Sequence, residues 1–398
     1  MNTLELIFWI LAAIIVYTYL GYGLVLYIMV RIKRLFVKRV VPVVKDEDLP
    51  HVTLLVAAYN ELDYIPQKME NTLAFDYPKE KLHIMWVTDG SDDGTPDLLR
   101  KEYPEVEVLH LSERKGKIAA MNRAVTFVQT PIVVFSDANT IIGQGSVRLI
   151  AELFQNPKVG CVSGEKRIMN EEKAAASSAG EGIYWKYEST LKRWDAELYS
   201  VVGAAGELFA VRTELFTAVE PDTLLDDFIV SLRIAMKGFR IEYDPEAYAA
   251  EWASASIPEE LKRKVRIAAG GIQSVVRLYP LLNIFKYGIL SFQYISHRVL
   301  RWAVTPFLLP VVLIINLLIA SQSTLLLVML ILQGLFYLGG FIGQQLEHRK
   351  LKAKIFFIPY YFLFMNYAVF LGLVRYLRNK QSVNWERAKR MDKKTTTV

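Results

Sequence analysis

The chain has 398 residues, 53% of them hydrophobic, with 47 Lys+Arg against 41 Asp+Glu and a formal net charge of +6. That length suits two or three structural units, and the single cysteine, Cys161, excludes an internal disulfide and any multi-cysteine metal site. The basic residues flank apolar blocks instead of forming a stripe across a polar domain, which argues against nucleic-acid binding and for a membrane surface.

The first apolar block covers residues 6–30 and is long enough to cross a bilayer. No Asp or Glu lies between Glu5 and Asp46, and Arg31, Lys33, Arg34, Lys38 and Arg39 follow the block directly. A cleaved signal peptide carries its charge before a shorter apolar run, so an uncleaved anchor with a basic linker is expected over residues 1–45. The positive-inside rule then places the N-terminus outside and residue 31 onward in the cytosol.

Over residues 46–280 the pattern changes to short β-rich runs alternating with amphipathic stretches. Strands are expected at Val52–Ala57, Leu82–Val87, Val106–Leu109 and Ile132–Phe135, and helices at Asp63–Ala74, Thr95–Glu102 and Lys117–Val128. This alternation predicts an α/β domain with a Rossmann-like, mostly parallel sheet covered by helices. Two strands run almost directly into Asp89 and Asp137. The carboxyl ends of parallel strands are where open α/β sheets bind ligands.

Residues 281–398 are apolar again. Phe285 to Trp302 mixes apolar residues with Lys, His and Arg and reads as a helix lying in the interface plane. Three blocks long enough to cross, or nearly so, follow at Ala303–Ala320, Leu325–Phe341 and Ile355–Val374. Three crossings would carry the tail outside. Yet Arg375, Arg378, Lys380, Arg387, Lys389, Arg390, Lys393 and Lys394 favour a cytosolic tail, and that bias is the heavier signal.

Four polar clusters stand between the apolar blocks. Asp89, in Thr88-Asp89-Gly90-Ser91, and Ala58-Tyr59-Asn60-Glu61 both end strands, and each by itself fits a plain turn. Ser136-Asp137-Ala138-Asn139 offers two side-chain oxygens at i and i+2, which suits a hard divalent cation or equally a helix N-cap or Asx turn. Asp226-Asp227 precedes a helical run, where acids match the helix dipole. A carboxylate there is also placed to serve as a general base. Arg263-Lys264-Val265-Arg266 suits a diphosphate clamp or an interfacial cluster near lipid headgroups.

In order and spacing these clusters resemble the membrane-bound family 2 glycosyltransferases, the group of cellulose, hyaluronan, chitin-oligosaccharide and poly-N-acetylglucosamine synthases. The resemblance covers residues 50–275 by motif and the whole chain by layout. It implies a GT-A nucleotide-sugar-binding domain between membrane segments. Ala58, Tyr59, Asn60, Glu61, Asp89, Lys117 and Asp137 then fall on donor-binding positions. Asp137 and Asn139 match the metal-binding Asp-x-Asp, for Mg²⁺ or Mn²⁺, and Asp227 matches the catalytic base. Gly206, Glu207, Asp226, Arg263 and Arg266 match the diphosphate and acceptor motifs. Three departures stand out: Asn139 replaces an aspartate, Asp226 a glutamate, and Arg263 and Ile267 the Gln and Trp of the last motif. In processive members that Trp stacks on the acceptor sugar, and Trp185, Trp194 and Trp252 are the candidates to replace it. The resemblance implies a multi-pass enzyme of the inner membrane with a cytosolic catalytic domain. It would transfer sugar, with inversion, from a UDP-sugar to a β-linked polysaccharide that is exported. The alternatives are a single addition to a lipid-linked acceptor and a catalytically dead scaffold; the latter predicts loss of Asp89, Asp137 or Asp227, all of which are present.

Overall fold

The computed structural model describes residues 2–37, 44–169, 177–252, 256–349 and 354–378. Lys38 and Arg39 of the basic linker, and the tail from Lys380 on, lie outside the described residues. The chain opens with one long helix, α1 (Thr3–Phe36), apolar enough to cross a membrane. Then comes an eight-stranded sheet with the order β3-β2-β1-β4-β7-β6-β8-β5.

Its central strands are β1 (Val52–Ala58), β2 (Leu82–Asp89), β3 (Glu107–Leu111) and β4 (Ile132–Asp137), with all the pairings among them parallel. Every residue of β1 is buried, as a strand covered on both faces requires. Alternate residues feed two cores. Leu55, Ala57, Met85, Val87, Val133 and Phe135 face one, while Leu54, Val56, Ile84, Trp86, Ile132 and Val134 face the other. The helices α2 (Ile65–Leu73), α3 (Thr95–Glu102) and α4 (Lys117–Val125) lie between these strands in sequence.

Beyond β4 the sheet becomes mixed. The strands are β5 (Ile141–Ile142), β6 (Val159–Met169), β7 (Leu208–Arg212) and β8 (Arg240–Trp252). β7 runs antiparallel to both β4 and β6, whereas β8 is parallel to β6. The intervening helices are α5 (Ser146–Leu153), α6 (Ser177–Leu198) and α7 (Asp226–Met236). The pairing Ser136↔Leu208 has a direct consequence. Chain entering β7 through Gly206 and Glu207 arrives at the edge where β4 ends in Asp137. Ala57↔Asp137 and Ala58↔Thr88 bring the ends of β1 and β2 to the same edge.

After α8 (Ile257–Arg277) come α9 (Ile289–Gln322), α10 (Thr324–His348) and α11 (Lys354–Leu377). With α1, these last three make four helices among the described residues that are long and apolar enough to cross a membrane. The helix expected in the interface plane over Phe285–Trp302 and the apolar block from Ala303 are not separate elements. Past a short turn of helix at Ile284–Tyr287, one helix continues from Ile289 to Gln322. Its polar residues have protein partners. His297 Nδ1 lies 2.6 Å from Asp195 of α6, and Gln293 donates to the same carboxylate at 3.0 Å. Arg298 and Arg301 each donate to Glu188 of α6 at 2.7 Å. Tyr22 of α1 also donates to Asp195. At the C-terminal end of α1, Lys33 caps the last carbonyls of α6 at 2.7 and 2.9 Å, and Arg34 forks onto Glu197. The α/β domain is thus keyed to α1 and α9 through α6.

Candidate active site

The site forms along the carboxyl edge of β1, β2 and β4, facing the start of α7. Asp89 is buried and accepts from the backbone N–H groups of Lys115, at 2.9 Å, and Gly116. Its other oxygen, Oδ1, is buried with no hydrogen-bond partner among the described residues. Beside it the Arg114 guanidinium stacks on Tyr59, 3.6 Å from the ring centroid. Ala58, Tyr59, Asp89, Arg114, Gly116 and Lys117 line one small cleft. Asn60, with φ 54°, is held in the left-handed region by reciprocal bonds with Asp92 at 2.8 and 3.1 Å. The backbone N–H of the buried Glu61 donates to Thr95 Oγ1 at 3.1 Å.

Asp137, at the end of β4, receives Lys117 Nζ at 2.7 Å. Although burial alone would lower the Lys117 pKa, Asp137, Asp226 and Asp227 together hold it above its ordinary value. Asn139 Oδ1 is buried without a hydrogen-bond partner among the described residues. Asp137 and Asn139 therefore offer two oxygens, one now satisfied by an ammonium and one orphaned, and an all-oxygen set of this kind fits Mg²⁺ or Mn²⁺. No group of three or more His, Cys, Asp or Glu with metal-ligand geometry occurs among the described residues, so substrate oxygens would have to complete the shell.

Asp226 and Asp227 begin α7. A Cβ placed on Gly206 would lie 3.1 Å from Asp227 Oδ2, so the backbone entering β7 packs directly on this carboxylate. Burial first, then the neighbouring Asp226 and Glu207 carboxylates, raise the Asp227 pKa to about 7 against the pull of Lys117. Glu207 behaves oppositely. Burial opposes its charge, but its ion pair with Lys166 keeps its pKa well below the carboxylate range. Lys166 is buried and also pairs with Glu251 of β8.

Arg263 and Arg266 lie on α8. Arg263 is engaged by Glu260, one turn back, at 3.2 and 3.4 Å, and it also acts on Glu207. Burial lowers the Arg266 pKa while Asp226 and Asp137 raise it, which puts this guanidinium within electrostatic reach of both acidic clusters. The structure thus gathers Asp89, Lys117, Asp137, Asn139, Gly206, Glu207, Asp226, Asp227, Arg263 and Arg266 about one edge.

Sequence reasoning missed three groups. Lys166 and Glu251 sit on distant strands with nothing local to mark them as a pair. Lys68 is 1% exposed, and its ammonium donates to Ser136 Oγ at 2.9 Å, to the Thr140 carbonyl at 2.9 Å and to Thr140 Oγ1 at 3.2 Å. It clamps both ends of the loop that carries Asp137 and Asn139. Its signal was available, because Ile65, Lys68, Met69 and Thr72 share one helical stripe. The third is Trp302. It packs on Phe228 with ring centroids 5.1 Å apart and shares with Ile267 the wall of a cavity of about 380 Å³. Of the tryptophans expected to stand in for the missing one, Trp185 lies under Lys264 and Trp194 packs on Tyr27.

The sequence profile of the glycosyltransferase like family 2 matches residues 50–270. The poly-beta-1,6-N-acetyl-D-glucosamine synthase of Staphylococcus aureus (strain MSSA476) is 31% identical over 249 residues, covering 59% of this chain and 58% of that protein. Its counterpart in Staphylococcus epidermidis is 25% identical over 264 residues, 63% of each chain. The match therefore spans less than two thirds of these relatives' length. Among solved structures, the mannosyltransferase PcManGT from Pyrobaculum calidifontis, in complex with GDP-Man and Mn²⁺, superposes with a TM-score of 0.67. It is 23% identical, and the superposition covers 93% of this chain and 99% of that one, a likeness of fold. The expected GT-A fold is the fold found. With more than half of its length under the family profile and the family's motif positions gathered at one sheet edge, this chain belongs to the glycosyltransferase like family 2.

Proposed function

We propose that this membrane protein transfers a sugar from a UDP-sugar to an acceptor hydroxyl with inversion, extending a β-linked polysaccharide that is passed across the membrane. The observation that carries the reading is the Asp227 carboxyl. It is packed on Gly206 at the edge where Asp89, Asp137 and Glu207 converge, and its pKa is raised to about 7. A base poised near neutrality can take the acceptor proton as the glycosidic bond forms.

In this reading Tyr59, Arg114 and Asp89 receive the nucleoside, Asp89 through its free Oδ1. Asp137 and Asn139 would hold Mg²⁺ or Mn²⁺, which neutralises the leaving diphosphate. Lys117 exchanges Asp137 for diphosphate oxygens, and Arg266 completes the clamp. Glu207, kept ionised by Lys166, orients acceptor hydroxyls and holds Asp227 protonatable by repulsion. Lys68 fixes the loop geometry from behind. The catalytic domain lies in the cytosol, at the inner membrane.

A second reading has one observation in its favour. The 380 Å³ cavity between α8, α9 and α11 is walled by Tyr19, Ile267, Trp302, Phe357, Tyr361 and Val369. So apolar a wall suits a hydrocarbon chain better than a hydrated glycan, which favours a single addition to a lipid-linked acceptor.

The deciding experiment offers radiolabelled UDP-GlcNAc, UDP-Glc and UDP-GlcA to purified protein in nanodiscs with Mg²⁺ or Mn²⁺. High-molecular-weight product supports the polymerising reading, and a single labelled lipid the second. The Asp227→Asn variant is expected to lose roughly 100-fold or more of either activity. Transfer undiminished in that variant would remove Asp227 as the base.

A further inference from the structure

The proposed site draws on α7, α8 and the sheet, but a further charge reaches it from the membrane side. α11 packs along α8 at a close crossing. A Cβ on Gly372 would stand 2.7 Å from Ala268 Cβ and 2.8 Å from Ala269 N, so only glycine allows this approach. Val369, one turn earlier on α11, clusters with Ala268 and Ile272. Stepping forward along α11 therefore means stepping back along α8. One turn past Gly372 stands Arg375; a short step back from Ala268 stands Arg266. The two guanidinium groups repel each other, and Arg266 is the one that also faces Asp226 and Asp137. Arg375 Nε is buried and makes no hydrogen bond among the described residues.

A tight helix crossing that forces two arginines together, one with a buried unused donor, is unfavourable until an anion lies between them. Guanidinium groups fork onto phosphate oxygens. We propose that Arg266 and Arg375 form a two-arginine site for a substrate phosphate at the seam of α8 and α11. The proposal rests on the transferase reading above. The phosphate has two possible sources: the leaving diphosphate of the donor, or the phosphate of a lipid-linked acceptor whose chain occupies the adjoining apolar cavity.

The test titrates UDP and, separately, undecaprenyl phosphate into the full chain in nanodiscs. Wild type is compared with Arg375→Gln, Arg375→Lys and, as a control on the same helix end, Arg378→Gln. Arg375→Gln is expected to weaken one of the two ligands about tenfold or more, with partial recovery in Arg375→Lys and no change in Arg378→Gln. The ligand that weakens names the source. Without ligand, Arg375→Gln should melt at or above the wild-type midpoint, because a like charge has gone; a purely structural arginine would give the reverse. Affinities for both ligands within twofold of wild type in Arg375→Gln would overturn the site while leaving the transferase reading intact. A wild-type chain that binds neither ligand would overturn both.

Discussion

Asp227 ties the chemistry of the site to its stability. Its raised pKa means that the folded protein holds a proton that the unfolded chain has already lost. The ionised carboxylate therefore destabilises the fold. This penalty is complete above pH 7, shrinks as pH falls through 7, and vanishes near the ordinary carboxylate pKa of about 4. Asp227→Asn should accordingly melt roughly 2–6 °C higher than wild type at pH 8, and the gain should shrink by pH 5. Transfer should run the other way, with kcat falling as pH drops through about 7, measured as a pH–rate profile. Lys166 is the converse case. Lys166→Met leaves Glu207 and Glu251 buried without their shared cation, and is expected to cost about 3–5 kcal/mol in denaturant unfolding. The acids were legible in the chain because strand ends mark themselves: an apolar run stops and Asp89 or Asp137 follows. Their pairing with lysines was not. Lys117 lies 20 positions before Asp137, and Lys166 lies 41 before Glu207, distances over which no periodicity links two residues.

Among the elements, those with a local pattern could be read from the chain and those defined by distant partners could not. Thr95–Glu102 forms over the expected residues because Thr-Pro opens it and its apolar positions follow one stripe. The parallel core strands are the expected ones, each running one or two residues further toward the site at its carboxyl end. The mixed half of the sheet was invisible, because a strand's direction is set by its neighbours and not by its own alternation. Phe285–Trp302 divides differently from the expected block. Ser296, His297, Arg298 and Arg301 make it look interfacial, yet all four sit on α9, where α6 and α1 answer them. Glu188 carries the firmest consequence. Burial opposes its charge, but Arg298, His297 and Arg301 keep its pKa well below the carboxylate range. Glu188→Ala should cost about 3–5 kcal/mol by removing the buried carboxylate that Arg298, His297 and Arg301 share, read as a lowered unfolding midpoint in detergent.

For the whole molecule, the four helices long and apolar enough to cross would, if all of them do, put both termini on one side, opposite the domain that follows the first. Cys161 is buried and so silent to an impermeant maleimide, which lets single cysteines report in an otherwise native chain. Cysteines placed at positions 2 and 380 should both label from the face opposite the domain. A tail labelled from the domain's own face would mean that one of the four helices does not cross, as its basic residues favour. Both α1 and α9 also carry a π-helical stretch, at Tyr17–Gly21 and Ile295–Val304. The two stretches meet side by side. Tyr17 and Ser296 hydroxyls lie 2.8 Å apart, and Thr305 donates to Thr18 at 2.9 Å. A π turn is a helix carrying one residue too many. Removing one residue from Tyr17–Gly21 would take out the surplus and let regular winding run through, with everything beyond it near its present phase. Removing one from the regular turns between Tyr22 and Lys33 would instead turn everything beyond it by about 100°. Lys33 and Arg34 would then swing away from α6 with no change in their identity. The grip of the domain on its membrane helix is thus an angular phase, and single-residue deletions should be tolerated within Tyr17–Gly21 and damaging just beyond it.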